Sequence, residues 1–165
     1  MATVKVGEHG AIALTANNEE EAFAELAASL QNSGIPPGEL LGNLGLYLPS
    51  KHLARLLFFR DIYPLVVNTH GIIAEFGVRW GQTLALLSNL RSIYEPFNRH
   101  RRIVGFDTFE GFRGVAPEDG VRTACRDGDF SVTPSHEETL ARVLALHEQL
   151  NPLSHLRRFE LVKGD

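Results

Sequence analysis

Three observations predict an α/β fold, with an open parallel sheet behind a helical N-terminal section. Three short apolar runs, GIIAEFGV (71–78), RRIVGFDTF (101–109) and RFELVKGD (158–165), read as strands. Helical periodicity separates each run from the next, which is the pattern of right-handed β-α-β units. Before residue 69 the apolar spacing is mainly helical. The predicted division is therefore a helical extension over 1–68 and a sheet-bearing part over 69–165.

Residues 1–16 have no clear period and read as a short strand or a loose arm. Asn18 then precedes EEEAFAELAASLQNSG, a helix with an Asn cap, acids Glu19–Glu21 at its positive end and Gly34 as its stop. Phe23, Leu26, Ala27 and Leu30 form its apolar stripe. IPPG breaks the chain, and ELLGNLGLYL reads as a short helix weakened by glycine. A longer helix starts at Ser50 and carries Leu53, Leu56, Leu57, Phe59 and Tyr63, with Pro64 ending or kinking it. NTHG is a turn. After the first strand, GQTLALLSNLRSIYEPF reads as a helix ended by Pro96. After the second comes a polar loop over about 110–133 without structure of its own, a length often associated with function. SVTPSHEETLARVLALHEQL reads as a helix with Pro134 in its first turn, and the third strand follows.

The 165 residues are enough for one domain with a core, and 44% apolar with 22% charged residues is ordinary for a globular protein. A net charge of -4 argues against a nucleic-acid partner. The one basic cluster, Arg99–Arg102, reads as a solvated loop before a strand. Cys125 is the single cysteine, so no internal disulfide forms, and it reads as an inert thiol. No apolar run reaches the roughly 18 residues of a membrane span, and the N-terminus lacks a basic region followed by an apolar core. No membrane partner and a cytoplasmic location are expected. The scattered histidines offer no metal-ligand spacing.

In open parallel sheets, ligands bind at the carboxyl ends of the strands. Gly77 and Gly81 lie at the exit of the first strand, where a ligand must approach backbone, and the helix beginning near Gln82 offers free N–H groups there. Glu75 stands near the end of the first strand and Asp107 at the end of the second. A carboxylate at that second position accepts ribose hydroxyls. Acids after both strands suit an adenosine ligand with a cationic amino-acid tail, which is S-adenosylmethionine. The spacing E-x-G-x-x-x-G, with Arg79 and Trp80 inside it, is not the dinucleotide fingerprint, because pyrophosphate needs close backbone approach.

AEFGVRWGQTLALLSNL followed by IVGFDTFEGF resembles the macrocin-type O-methyltransferases, a group of class I S-adenosylmethionine-dependent enzymes with a Rossmann-like sheet. The resemblance covers about residues 45–165 and is strongest between Ile72 and Phe112. It implies methylation of a hydroxyl on a sugar or glycosylated natural product. It also implies a role for each matched residue. Glu75, Phe76, Gly77 and Gly81 line the methionine part of the cofactor, Asp107 holds the ribose, and Thr108 and Phe109 shape the adenosine pocket. Asp165 meets the adenine. The family's sheet has more strands than the three read here, so the chain is expected to hold the first three strands of that fold. The family's general base and its divalent metal site (Mg2+) are expected beyond Asp165.

Each residue also has a structural reading. Glu75 could pair with Arg79 or Arg102, although an unpaired charge at a strand exit is costly and favours a ligand role. Asp107 and Thr108 could cap the turn that follows. Trp80 reads as a core anchor, and Phe106, Phe109 and Phe112 as packing, with Phe109 the candidate for a cofactor contact. Two other functions stay open: a nicotinamide-dependent oxidoreductase domain, and a non-catalytic fragment or assembly piece. A first strand lacking a neighbour on one side would leave an apolar edge, which predicts pairing with another copy.

Overall fold

A computed structural model describes residues 3–6, 12–15, 17–116 and 126–164. The chain divides into two compact units, 1–57 and 58–165. The first begins with an antiparallel pair, β1 (Thr3–Val6) and β2 (Ile12–Thr15), in a register that sets Thr3 opposite Thr15. Helix α1 (Asn17–Gln31) has Glu19 and Glu20 in its first turn, where its dipole favours negative charge. Its predicted stripe lines a shallow hollow with Tyr47, Leu48, Pro49 and His52. There the Phe23 ring stacks on His52 at 5.8 Å. The glycine-rich stretch does not form one helix. Helix α2 (Pro37–Leu40) gives way to a 3-10 segment over Leu41–Tyr47, as the poor helix propensity of Gly42 and Gly45 explains. Helix α3 (Ser50–Ile62) follows and runs into a 3-10 turn, Tyr63–Val66, holding Pro64.

The second unit contains the sheet. Strands β3 (Ile73–Phe76), β4 (Ile103–Asp107) and β5 (Phe159–Lys163) are parallel in the order β3-β4-β5. Glu75 lies opposite Gly105, and Asp107 opposite Lys163. Helix α4 (Gln82–Tyr94) connects β3 to β4 and packs on β4 and on helix α5 (His136–Gln149). The predicted α5 began earlier. The left-handed backbone of Ser135 (φ 58) excludes it and Pro134 from the helix. The core joins Leu84, Leu87 and Leu90 of α4, Leu140 and Leu144 of α5, Ile103 and Phe159 of the sheet, and Tyr63. Each such fully buried side chain contributes about 1.5–3 kcal/mol.

Two buried charged networks lie within this unit. Glu148 accepts from Arg91 Nη2 at 2.6 Å and from Arg158 Nη2 at 3.2 Å. Glu95 accepts from Tyr63 Oη at 2.8 Å and from Arg101 Nε at 3.0 Å. Burial pushes the Glu95 carboxyl up, and hydrogen bonds from Arg101, Tyr63 and Asn98 outweigh it, so the group lies below its ordinary pKa. Arg101 also donates to the carbonyls of Val66, Thr69 and Gly71, tying the turn before β3 to the start of β4. The basic cluster is therefore not a solvated loop throughout: Arg101 is buried, and its guanidinium spends its donors on these carbonyls and on Glu95. Arg102 is exposed and pairs with Glu160, not with Glu75. Among the described residues, no helix is long and apolar enough to cross a membrane.

Candidate cofactor site

The segment from β3 into α4 is built by two glycines with different duties. Gly77 has φ 82 and nothing within 4 Å of where a Cβ would stand, so it keeps open space beside the strand end. Gly81 also has φ 82 and forms the N-cap of α4. A Cβ there would lie 2.2 Å from a methyl carbon of Leu140, so its first duty is the close approach of α5. Val78 takes the inward position between them, which leaves Trp80 40% exposed rather than in the core. Its indole meets the His136 ring edge-on at 4.9 Å.

Alternation along the strands separates two faces. A Cβ on Gly105 would strike Leu84 and Val78, so the face holding Glu75, Gly105 and Asp107 is the one α4 covers. Phe76 and Phe106 stand on the opposite face, stacked at 4.9 Å with 12° between their planes. Phe76 is 78% exposed.

Asp107 joins two loops. Its Oδ2 accepts from the backbone N–H of Arg79 at 2.7 Å, and its Oδ1 from that of Phe109 at 2.6 Å. Thr108 Oγ1 accepts from Glu110 N at 3.1 Å and donates to Gly111 O at 2.9 Å. Both residues thus cap the turn. An ionised carboxylate has about four lone-pair sites, so Asp107 retains acceptor capacity for a ligand.

A cavity of 490 Å³ opens at the carboxyl ends of the strands, within the range of small-molecule sites. Phe76, Gly77, Asp107 and Thr108 of the predicted set line it, with Phe106, Arg79, Phe112, Arg113, Phe130 and Gly164. Glu75 is half-buried on β3 and is not among the lining residues. Phe109 turns its ring into the core. Asp165 lies outside the described residues, while its neighbour Gly164 donates its N–H to the Asp107 carbonyl at 3.1 Å. A second hollow of 350 Å³, lined by Val67–Gly71, Asn98, His100 and Arg101, lies at the amino ends of β3 and β4. Ligands of open parallel sheets bind at the other end, which favours the first cavity.

The polar loop after β4 has an ordered base. Phe112 N donates to Asp129 O at 3.0 Å, and Gly128 N to Phe112 O at 2.8 Å. This pairing brings the Phe112 and Phe130 rings edge to face at 5.3 Å and makes them one wall of the cavity. The loop residues Glu118, Asp119 and Cys125 lie outside the described residues. Among the described residues, no group of three His, Cys, Asp or Glu side chains could hold a metal ion.

The crystal structure of CalS11, a calicheamicin methyltransferase, is similar at a TM-score of 0.88 and 37% identity, covering 100% of this chain and 65% of that one. The fold is a Rossmann-like methyltransferase fold. The apo structure of CalS11, described as a TDP-rhamnose 3'-O-methyltransferase and an enzyme in calicheamicin biosynthesis, is similar at a TM-score of 0.75 and 35% identity. That match covers 92% of this chain and 57% of the other. The chain thus spans less than two thirds of the solved structures it matches. No protein-family model matches it, and no curated protein does.

Proposed function

We propose that the chain is the S-adenosylmethionine-binding part of a macrocin-type O-methyltransferase of the cytoplasm. Its acceptor is a small molecule, through a hydroxyl of a sugar or glycosylated natural product. The observation that carries this reading is Asp107, held at the end of β4 on the rim of a cavity that Gly77 keeps open. The similarity to CalS11, one of whose structures is described as a TDP-rhamnose 3'-O-methyltransferase, supports the acceptor class.

Phe76, Gly77, Asp107 and Thr108, which line the cavity, suit the cofactor. The free lone pairs of Asp107 accept the ribose hydroxyls, and Thr108 lines the pocket beside them. Phe109 shapes it from below through its backbone and core packing. Glu75, Phe76, Gly77 and Gly81 serve the methionine end, and Asp165 the adenine. When bound, S-adenosylmethionine supplies a methyl group on a sulfonium, open to in-line attack by a hydroxyl oxygen. The work of this chain is to align the two and to exclude water. No donor set among the described residues fits Mg2+.

The loop from β3 to α4 carries Arg79 and Trp80 where a dinucleotide site would carry glycine. Calorimetric titration with S-adenosylhomocysteine and with NAD separates the two readings. Heat with the first and none with the second is expected; binding of NAD, or of neither, overturns the proposal. Self-association through β3 belongs to the same proposal, because among the described residues β4 pairs it on one side only and Ile72 and Phe76 are exposed. Sedimentation equilibrium at high concentration is expected to reveal dimers, and a clean monomer refutes that part.

A further inference from the structure

Two cations line the cavity, and they differ in one respect. Arg113 is paired with Glu110. The Arg79 guanidinium forms no ion pair among the described residues. Its guanidinium carbon lies 5.1 Å from the centre of the Phe130 ring, and its Nε is buried without a hydrogen bond. A partly desolvated cation with no counter-ion is unfavourable and calls for an anion in the cavity. The backbone supports the same view. Arg79 adopts φ 51, a region that L side chains rarely enter, and the bond from its N–H to Asp107 Oδ2 holds it there.

We infer that Arg79 binds the carboxylate at the amino-acid end of the cofactor. This rests on the methyltransferase reading above and names a residue outside the set that the sequence motif supplied. Asp107 is the ribose acceptor, and its carboxylate is bonded to the backbone of Arg79 itself. Gly77, Arg79 and Asp107 line one cavity, so a tail running from the ribose toward Gly77 stays within the space that Arg79 lines. A guanidinium presents a planar fork that matches a carboxylate through two parallel hydrogen bonds, which an ammonium cannot do. Arg79 is thereby the group that distinguishes the whole cofactor from an adenosine lacking the tail.

The test is calorimetry on the full 165-residue chain with two probes, S-adenosylhomocysteine and 5'-methylthioadenosine, the second lacking both carboxylate and ammonium. Wild type is compared with Arg79→Asn, which tolerates the left-handed backbone, and with Arg79→Lys. Wild type is expected to prefer S-adenosylhomocysteine. Arg79→Asn is expected to shrink that preference by roughly 10- to 100-fold and to leave methylthioadenosine affinity unchanged, which also reports an intact fold. Arg79→Lys is expected to retain part of the preference through its point charge. The ammonium is lost from the same probe in all three proteins and cancels. Equal weakening of both probes in Arg79→Asn would make Arg79 a purely structural residue and overturn the inference, as would an unchanged ratio. If wild type binds neither probe, the methyltransferase reading fails and takes the inference with it.

Discussion

Replacing Glu148 by alanine is expected to cost about 3–5 kcal/mol of stability, a large share of the roughly 5–15 kcal/mol that holds a domain together. The reason is the company Glu148 keeps. The side chains of Arg91, Arg158 and Glu148 are 0%, 2% and 5% exposed. The two guanidiniums also donate to the carbonyls of Arg158, Asn98 and Pro152. Burial lowers the pKa of Arg91, and the Glu148 carboxylate opposes that shift. Without the acid, two cations remain buried with no anion between them. Urea unfolding should reveal a lower midpoint with an unchanged slope. A loss below about 1 kcal/mol would mean that water reaches the pair. Replacing all three residues by apolar ones of similar volume is expected to be nearly neutral, because the desolvation cost disappears together with the attraction.

Asp107→Ala is expected to weaken S-adenosylhomocysteine binding by at least about 100-fold, since each hydrogen bond to a charged group is worth about 1.5–3 kcal/mol and two ribose hydroxyls are involved. The same change frees the backbone N–H groups of Arg79 and Phe109, so stability should also fall, by about 1–3 kcal/mol. The two readouts answer separate questions. Calorimetry reports the ligand role and denaturant unfolding the turn-capping role. A variant with lower stability and undiminished affinity would leave Asp107 as a structural cap and remove the carboxylate from the site.

The sheet was legible because a parallel strand packed on its helices is written as a short apolar run, and the three runs at 71–78, 101–109 and 158–165 contain β3, β4 and β5. Helix α4 was legible from Gly81 before it and Pro96 after it. What escaped was chemistry assembled over long separations. Arg91 and Glu148 are 57 positions apart, and each alone resembles a solvated helix residue. The Arg79–Phe130 contact joins the glycine loop to a loop that reads as structureless. A large aromatic such as Trp80 suggests the core, whereas the turn gives the inward place to Val78. At the site, Asp107 and Gly77 were readable from their places at strand ends. The aromatic wall of Phe106, Phe112 and Phe130 was not, because stacking partners leave no local pattern.

The lateral order of β3, β4 and β5 repeats their order along the chain. During synthesis each strand therefore leaves the ribosome after the neighbour it must dock against, and none has to wedge itself between two that have already joined. Among these three strands growth proceeds in one direction, with α4 and then α5 closing over each junction as it forms.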